Sequence, residues 1–321
     1  RLNDEATTSV SVTKYTRQTG DTNCSGQEKL TTGLRFSCAF SLTNSLYTSI
    51  INVYKVYCKP KEHHMLNHEA GKTLKQKLPL GMIATKRWLQ EQGLSLHYID
   101  NSVRRGALIV ATPGVYYREE AYPTWQGVVA SLQRIATFAV NVGGLTALEL
   151  NGVSHYVNQS GKPTIGLYCP EKLPVWVDKI GVEATFEWHG TKRLWPESLM
   201  RDQRVLRPYE WSKGLPEITY SCVEKAYLEV LNEVPKHISF EHADALLQGL
   251  HNLSPRKLDT LLTYCLNVKV KRLFFWLAER NQQPWFKHLV PTDYDLGSGK
   301  RAIAVNGRLE SKWQITVPKE M

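Results

Sequence analysis

The segment 85–118 constrains the fold more than any other part of this sequence, because two short helix patterns come directly before two β-rich runs. Thr85 is placed to cap the first helix, which Gly93 ends, and Ser95 is placed to cap the second, which Gly106 ends. Hydroxyl side chains cap helix N-termini, and glycine adopts at low cost the left-handed conformation that ends a helix. Two helices separated by so short a turn predict a helix-turn-helix.

The second helix pattern has one apolar stripe and one polar face. Leu96, Ile99 and Val103 recur at i, i+3 and i+7, which predicts that they are buried together. In a helix-turn-helix, the opposite face of this second helix lies in the major groove of DNA. The residues expected to point outward are His97, Tyr98, Asn101, Arg104 and Arg105.

The two β-rich runs are joined by Thr112-Pro113-Gly114, whose proline and glycine supply the dihedrals of a tight turn. They predict a hairpin, or wing, with Arg118 near phosphates, while arginine and asparagine of the second helix reach base edges. The alternative is a helical hairpin whose basic residues form a solvated face. The expected DNA-binding residues are Thr85, Lys86, Arg87, Ser95, His97, Tyr98, Asn101, Arg104, Arg105 and Arg118.

The sequence is basic overall. Its 40 Lys and Arg against 30 Asp and Glu give a formal net charge of +10, which favours a polyanionic partner without identifying one. Residues 256–321 contain twelve basic and six acidic residues. They suggest a second basic surface for DNA phosphates or RNA, or else a solvated face. Its members would be Lys269, Lys271, Arg272, Lys300 and Arg301.

The first 64 residues differ in composition from the rest. They contain 17 Ser or Thr and neither Met nor Trp, and the composition changes at Met65. We interpret residues 1–64 as translated upstream DNA, with Met65 as the native start; a poorly structured native arm is the alternative. The nearby group His63, His64 and His68 is not expected to bind metal. The expected domains are then 65–120, the winged helix-turn-helix, and 121–321.

Neither a membrane span nor a secretory signal is predicted, because the longest apolar stretch, 46–57, is interrupted by polar residues. Six cysteines, at positions 24, 38, 58, 169, 222 and 265, lie too far apart for a zinc site. Such spacing favours reduced thiols in a cytoplasmic protein.

The region 121–321 predicts a mixed α/β, helix-rich domain, so the fold class is α+β. An amphipathic helix is expected over 124–136, and strands over 164–170 and 182–188. Helices should dominate 222–289, and Asn306-Gly307 should form the turn of a closing hairpin. The prolines expected to mark helix starts are Pro235, Pro255 and Pro284.

Catalytic patterns are weak, and no cofactor is expected. Gly297-Ser298-Gly299-Lys300 resembles part of a phosphate-binding loop, but Arg301 replaces the hydroxyl residue that would bind magnesium. A metal-dependent nuclease would need Glu310 and Lys312 together with Asp293 or Asp295, at a loose spacing. Gly143-Gly144 before a helix suggests either phosphate binding by backbone N–H groups or close packing.

Several segments resemble the AbiEi family of antitoxins. ATKRWLQEQGLS, VRRG and PGVYYR are similar to the N-terminal region of that family. Further similar segments follow in order: GGLTALELNG (143–152), SCVEKAYLEVLNEVP (221–235), VKVKRLFFWLAE (268–279), LGSGKR (296–301) and GRLESKWQITVP (307–318).

The resemblance implies the antitoxin of a bacterial type IV toxin–antitoxin pair, from an abortive-infection operon that defends against phage. It implies a non-enzymatic transcriptional autorepressor that binds inverted repeats in its own promoter. The toxin would be a nucleotidyltransferase, neutralised without a stable complex, and the protein would be cytoplasmic and nucleoid-associated. Two alternatives remain: a metal-dependent nuclease-like defence protein, and an interaction module that does not bind DNA.

Overall fold

The computed structural model describes residues 68–153 and 161–321. Contacts divide the chain into a unit Arg1–Cys58, which lies outside the described residues, and a second unit, Lys59–Met321. The hypothesis about residues 1–64, and with it His63 and His64, therefore concerns residues outside the described part. His68 is described and begins the visible part of a helix, α1, over 68–77.

The first part of the second unit contains the two predicted helices and the predicted hairpin. Strand β1 (Ile83–Thr85) leads into α2 (Lys86–Glu91) and α3 (Leu96–Arg104), and β2 (Leu108–Thr112) and β3 (Val115–Arg118) then form the hairpin. The sheet order is β1-β3-β2, and both pairings are antiparallel. The two helices, their caps and the hairpin are thus confirmed as elements, and β1 adds a third strand that the sequence pattern did not predict.

Helix α4 (Trp125–Ile135), the predicted amphipathic helix, is capped by Thr124 and connects this part to the rest of the unit. On one side the Ser131 hydroxyl accepts a hydrogen bond from the Ile83 backbone N–H at 2.9 Å. On the other side the Gln133 amide donates to the Thr219 carbonyl at 2.8 Å and accepts from the Thr219 N–H at 2.9 Å. The helix is therefore hydrogen-bonded to strands of two different sheets.

The second sheet has five strands in the order β6-β5-β4-β8-β7. Its pairings are mixed: β5 with β6 and β4 with β8 are parallel, whereas β4 with β5 and β7 with β8 are antiparallel. The strands are β4 (Asn141–Val142), β5 (Thr164–Cys169), β6 (Thr185–Gly190), β7 (Leu206–Tyr209) and β8 (Ile218–Ser221). Two short helices accompany them, α5 (Gly144–Leu150) and α6 (Glu197–Met200).

Helices follow the sheet, as predicted. They are α7 (Val223–Glu233), α8 (Phe240–Gln248), α9 (Pro255–Tyr264) and α10 (Val268–Arg280). Pro255 occupies the first turn of α9, but Pro235 follows the end of α7, and Pro284 precedes only a 3-10 turn. Helix α10 is buried all round from Val270 to Ala278, which is the pattern of a central core helix. The described residues thus form an α+β fold.

The closing hairpin pairs β9 (Arg308–Glu310) with β10 (Ile315–Val317). Its connection is therefore 311–314, and the prediction that Asn306-Gly307 is the hairpin turn is wrong. Asn306 does adopt a positive φ of 54°, but the turn it forms precedes β9. The local turn signal was real, and the strand pairing, which is tertiary, placed it outside the hairpin.

Cys169, Cys222 and Cys265 are free and buried. Burial raises the pKa of the first two thiols to about 12 and that of Cys265 to about 11. Cysteines 24, 38 and 58 lie outside the described residues. Within the described ranges no helix is long and apolar enough to cross a membrane.

Candidate nucleic-acid interface

Helix α3 has a narrower and differently placed buried face than its sequence predicts. Ser95 caps it by accepting a hydrogen bond from the Tyr98 N–H at 3.2 Å. Ile99 and Ser102 are buried, and Val103 is half-buried. Leu96 is 48% exposed, so its predicted place in the buried stripe is wrong. The buried arc is centred between Ile99 and Ser102, which leaves Leu96 at its margin in the first turn.

The opposite face of α3 is polar and linked by hydrogen bonds within the helix. The Asn101 amide nitrogen and His97 Nε2 are 2.9 Å apart, and Arg104 Nη1 donates to Asn101 Oδ1 at 3.3 Å. Arg105 Nε donates to the Asn101 carbonyl at 3.2 Å. Tyr98 is half-buried against the core and points outward only in part. The exposed face is thus centred on His97, Asn101 and Arg104.

The remaining basic residues expected to contact DNA are ion-paired. Lys86 Nζ lies 2.7 Å from Asp100 Oδ1, which raises the lysine pKa and lowers that of the carboxyl. Arg87 pairs with Glu91 at 2.9 Å on the exposed side of α2. Each of these cations must therefore exchange or share its carboxylate partner when it contacts a phosphate.

Arg118 on β3 is the most enclosed of the expected contacts. Its side chain is 11% exposed and lies 2.6 Å from a carboxylate oxygen of Glu120, whose pKa it lowers. The hairpin turn lies at the opposite end of β3 and is open, since Pro113 and Gly114 are exposed and Gly114 has a φ of 79°. The Gly114 carbonyl accepts a hydrogen bond from the Lys86 N–H at 2.8 Å, which fixes the turn against the start of α2.

Thr85 and Ser95 act as helix caps in the structure. The Thr85 hydroxyl accepts from the Trp88 N–H at 3.2 Å, just as that of Ser95 accepts from the Tyr98 N–H. Their positions at the N-termini of α2 and α3 also bring them to the ends that face a DNA backbone in a helix-turn-helix. Lys86 links the predicted residues on α2 and α3, because its side chain pairs with Asp100 of α3 and its N–H donates to the Gly114 carbonyl of the hairpin turn.

The second basic surface is not assembled as predicted, because two of its five members are in the interior. Lys271 and Arg272 are each 4% exposed. Lys269 is half-buried, and its Nζ donates to the carbonyls of Asn232 at 2.8 Å and Val234 at 2.7 Å. Desolvation lowers the pKa of Lys269. Only Lys300 and Arg301 are exposed.

Arg272 explains the glycine-rich segment 296–301. Its guanidinium donates to the carbonyls of Leu296 at 2.7 Å, Gly297 at 2.9 Å and Gly299 at 2.6 Å, and to that of Gln314 at 3.1 Å. Gly297 and Gly299 both have positive φ angles, which turn these carbonyls inward. A phosphate-binding loop presents N–H groups to an anion, whereas this loop presents oxygens to a cation.

The Gly143-Gly144 pair is engaged by a buried carboxylate. The Gly144 N–H donates to Glu229 Oε2 at 3.1 Å, so packing and not phosphate accounts for the pair. Glu229 also lies 2.8 Å from Lys225 Nζ, and both side chains are 0% exposed. The same carboxylate accepts from the Ser221 hydroxyl at 3.1 Å and the Trp195 indole N–H at 3.2 Å. Sequence patterns gave no sign of this buried ion pair.

The residues considered for a nuclease are spread over separate contacts. Glu310 pairs with Arg308 at 3.1 Å, Lys312 pairs with Glu279, and Asp295 accepts from the Gly297 N–H at 2.8 Å. In the part of the chain that the structure describes, no three His, Cys, Asp or Glu side chains are arranged to hold a metal ion. The observed contacts therefore give the nuclease alternative no support.

Comparison with known families defines the class of protein: a transcriptional regulator of the type IV toxin–antitoxin kind. Residues 67–159 match the model of the AbiEi antitoxin N-terminal domain, and residues 162–318 match that of the AbiEi antitoxin, a transcriptional regulator of a type IV system. The chain therefore belongs to the AbiEi antitoxin family, and the resemblance inferred from its sequence is confirmed.

More distant comparisons add little. No curated protein matches the chain. The crystal structure of the RV2827C protein from Mycobacterium tuberculosis is similar at 15% identity and a TM-score of 0.43, over 73% of this chain and 85% of that one.

Proposed function

We propose that this protein represses its own operon by binding inverted repeats in the promoter, with α3 in the major groove of double-stranded DNA. The observation that carries the proposal is the polar face of α3, on which His97, Asn101 and Arg104 lie together. The nearby Asp100 carboxylate forms its ion pair with Lys86, at 2.7 Å. Membership of a family of transcriptional regulators supports the same function. The protein would then act in the bacterial cytoplasm, at the nucleoid.

The side chains on this face have the chemistry that reads base edges. Arginine donates two hydrogen bonds to guanine, and asparagine pairs with the two major-groove groups of adenine. In the unbound chain their donors and acceptors satisfy one another within the helix, through the Arg104 to Asn101 bond of 3.3 Å. Bases replace these weak internal bonds, so binding leaves no buried group unpaired.

The flanking cations are assigned to the phosphate backbone. Lys86 is paired with Asp100 of α3, Arg87 with Glu91 of its own helix, and Arg118 of β3 with Glu120. Each released pair adds a phosphate contact that is sensitive to salt, since every neutralised phosphate contributes a log–log slope of about −0.9. Arg118 should contribute least, because its side chain is enclosed beside Glu120.

We assign neutralisation of a nucleotidyltransferase toxin to residues 121–321, without a stable antitoxin–toxin complex. That region has its own five-stranded sheet and helical core, far more structure than a wing requires. Promoter binding and neutralisation should therefore be separable by substitution. Truncation is a poor test of this, because Ser131 of α4 is hydrogen-bonded to Ile83.

The DNA-binding test compares Arg104→Ala with Arg204→Ala in mobility-shift titrations of promoter DNA and of random DNA. Arg204 is a suitable control because it is exposed, lies in the loop before β7 outside the predicted helix-turn-helix, and is paired with Asp202. Loss of a base contact should cost about 1–3 kcal/mol and relax specificity at one base pair. Equal affinity of the unsubstituted protein for both DNAs would refute the proposal.

The separation test uses full-length protein with Arg104→Ala and Arg105→Ala together. The double variant should derepress a promoter reporter and still rescue cells that express the neighbouring toxin. Loss of rescue would show that the two activities are not separable. Copurification of toxin and antitoxin in stoichiometric amounts would contradict neutralisation without a complex.

A further inference from the structure

A polar cleft of about 230 Å³ opens in the C-terminal half, where β5 and β6 meet α5 and α7. Two of the segments that resemble the AbiEi family contribute to it, the one that begins at Gly143 and the one that ends at Pro235. The DNA-binding proposal uses neither segment. The cleft is therefore a part of the molecule whose role is open.

The cleft is acidic in a basic protein. Three carboxylates line it, those of Glu149, Glu187 and Glu233, and its described lining contains neither lysine nor arginine. The chain as a whole carries a formal net charge of +10. Two histidines, His189 and His237, also line the cleft, and the Lys269 charge acts on Glu233 from outside the lining. Carboxylates that line a cleft attract a positively charged ligand and repel an anion.

Two stacked rings lie between these carboxylates. The His189 ring lies on the Tyr168 ring, with centroids 4.5 Å apart and planes inclined by 14°. His189 Nδ1 is 3.3 Å from Glu233 Oε1, and its Nε2 is 3.8 Å from Glu187 Oε2. The His189 contact lowers the pKa of Glu233 despite the opposing effect of burial, so this carboxylate stays ionised. The imidazole thus holds two carboxylates on either side of an aromatic pair.

Tyr168 supplies a second sign of a ligand. Its side chain is only 2% exposed, it lines the cleft, and its hydroxyl has no hydrogen-bond partner among the described residues. Burial and the neighbouring carboxylates raise its pKa well above the usual value, so the hydroxyl keeps its proton. The hydroxyl is therefore a donor on the cleft wall that a ligand in the cleft can use.

The wall of the cleft is fixed from behind. A Cβ at Gly143 would overlap both Tyr168 and the buried carboxylate of Glu229, which is itself held by Lys225. The glycine therefore lets the backbone approach the tyrosine ring closely, and the ion pair behind it keeps that backbone in place. Such a preformed site loses little entropy when it binds.

We propose that this cleft binds a guanidinium group, in a site made by Glu187, Glu233 and the stacked pair of His189 and Tyr168. A guanidinium is planar, forms paired hydrogen bonds with carboxylates and stacks on aromatic rings, which matches both features of the cleft. The volume is below the ~300–1,000 Å³ of sites for drug-sized ligands, so the cleft accepts a single group. The site does not depend on the DNA-binding proposal.

The test is a titration of the full-length protein with agmatine, followed by the imidazole NMR signals of His189 and His237, which both line the cleft. Urea serves as the uncharged planar control, and butylamine as the charged control that is not planar. Agmatine should shift these signals saturably, at least about tenfold more tightly than either control, since hydrogen bonds to charged groups are the strong ones.

Substitutions assign the binding to the cleft. Glu187→Gln and Glu233→Gln should each weaken agmatine binding about tenfold, and Tyr168→Phe about threefold. Glu183→Gln is the matched control, because Glu183 lies just before β6, is exposed and pairs only with Lys162 at 3.5 Å. Glu187 is partly exposed, so its variant keeps the test valid if Glu233→Gln does not fold.

A peptide with one central arginine distinguishes the source of the group. If the peptide binds more tightly than agmatine, the guanidinium comes from an arginine of a protein partner. If agmatine binds more tightly, it comes from a free small molecule. Absence of saturable binding by either would overturn the proposal. So would equal binding of urea or butylamine, or an equal loss with Glu183→Gln.

Discussion

Charged side chains lie in opposite environments in two regions of this protein. At the C-terminal end of α3, Arg104 and Arg105 are exposed and donate hydrogen bonds to Asn101 of the same helix. In the C-terminal half, Lys225 and Arg272 are buried, one against a carboxylate and the other against backbone carbonyls. The first arrangement keeps cations available for a ligand, whereas the second uses them to hold the chain together. Charge counted along the sequence does not distinguish the two uses.

The largest loss of stability is expected when the buried cation Lys225 is replaced. Lys225→Met leaves the Glu229 carboxylate buried without its cation, and such a loss typically costs about 3–5 kcal/mol. Urea unfolding monitored by circular dichroism measures the change in the free energy of unfolding. Arg87→Met is the control, because its exposed pair with Glu91 should contribute almost nothing. A cost below about 1 kcal/mol would show that the buried pair is not a structural element.

The next largest loss of stability is expected when Arg272 is replaced. Arg272→Met removes a guanidinium that donates to three carbonyls of the segment 296–301 and to that of Gln314. We expect the free energy of unfolding to fall by about 1.5–3 kcal/mol. Lys300→Met, at an exposed position of the same loop, should leave the unfolding free energy unchanged. Equal effects of the two substitutions would mean that the loop does not depend on its buried guanidinium.

What the sequence predicted well was local. The caps Thr85 and Ser95 were identified because a capping hydroxyl and the helix it starts are neighbours in the chain. The exposure of Leu96 and the burial of Arg272 were missed, since each depends on which distant segment packs against the helix. Periodicity identifies an apolar face but not how much of it is covered.

The acidic cleft illustrates the same limit more strongly. Its members come from separate segments: Gly143 before α5, Tyr168 on β5, His189 on β6 and Glu233 at the end of α7. The parallel pairing of β5 with β6 places Tyr168 directly beside His189. No spacing along the chain encodes that register, so the site appears only when the strands are paired.

A smaller effect is expected where α4 joins the N-terminal strand. A Cβ on Gly127 would overlap the carbonyl oxygen of Gly81, so Gly127→Ala must displace backbone and should cost about 1–3 kcal/mol. Gly249→Ala is the matched control, because Gly249 has an ordinary negative φ and its Cβ would meet only Leu246 O at 3.5 Å. Differential scanning calorimetry measures the unfolding midpoints of both variants, and that of Gly127→Ala should be the lower. Equal midpoints would mean that α4 and the strand can separate at little cost.

The smallest change in stability is expected for substitutions at the C-terminal end of α3. Arg104→Ala with Arg105→Ala should alter the free energy of unfolding by no more than about 0.5 kcal/mol, because both side chains are exposed and such surface substitutions rarely cost more. The same double variant should lose promoter affinity in the mobility-shift titration. A large loss of stability would show that the α3 face is structural, like the interior around α10. Intact stability with lost affinity would separate the two uses of charge in one protein.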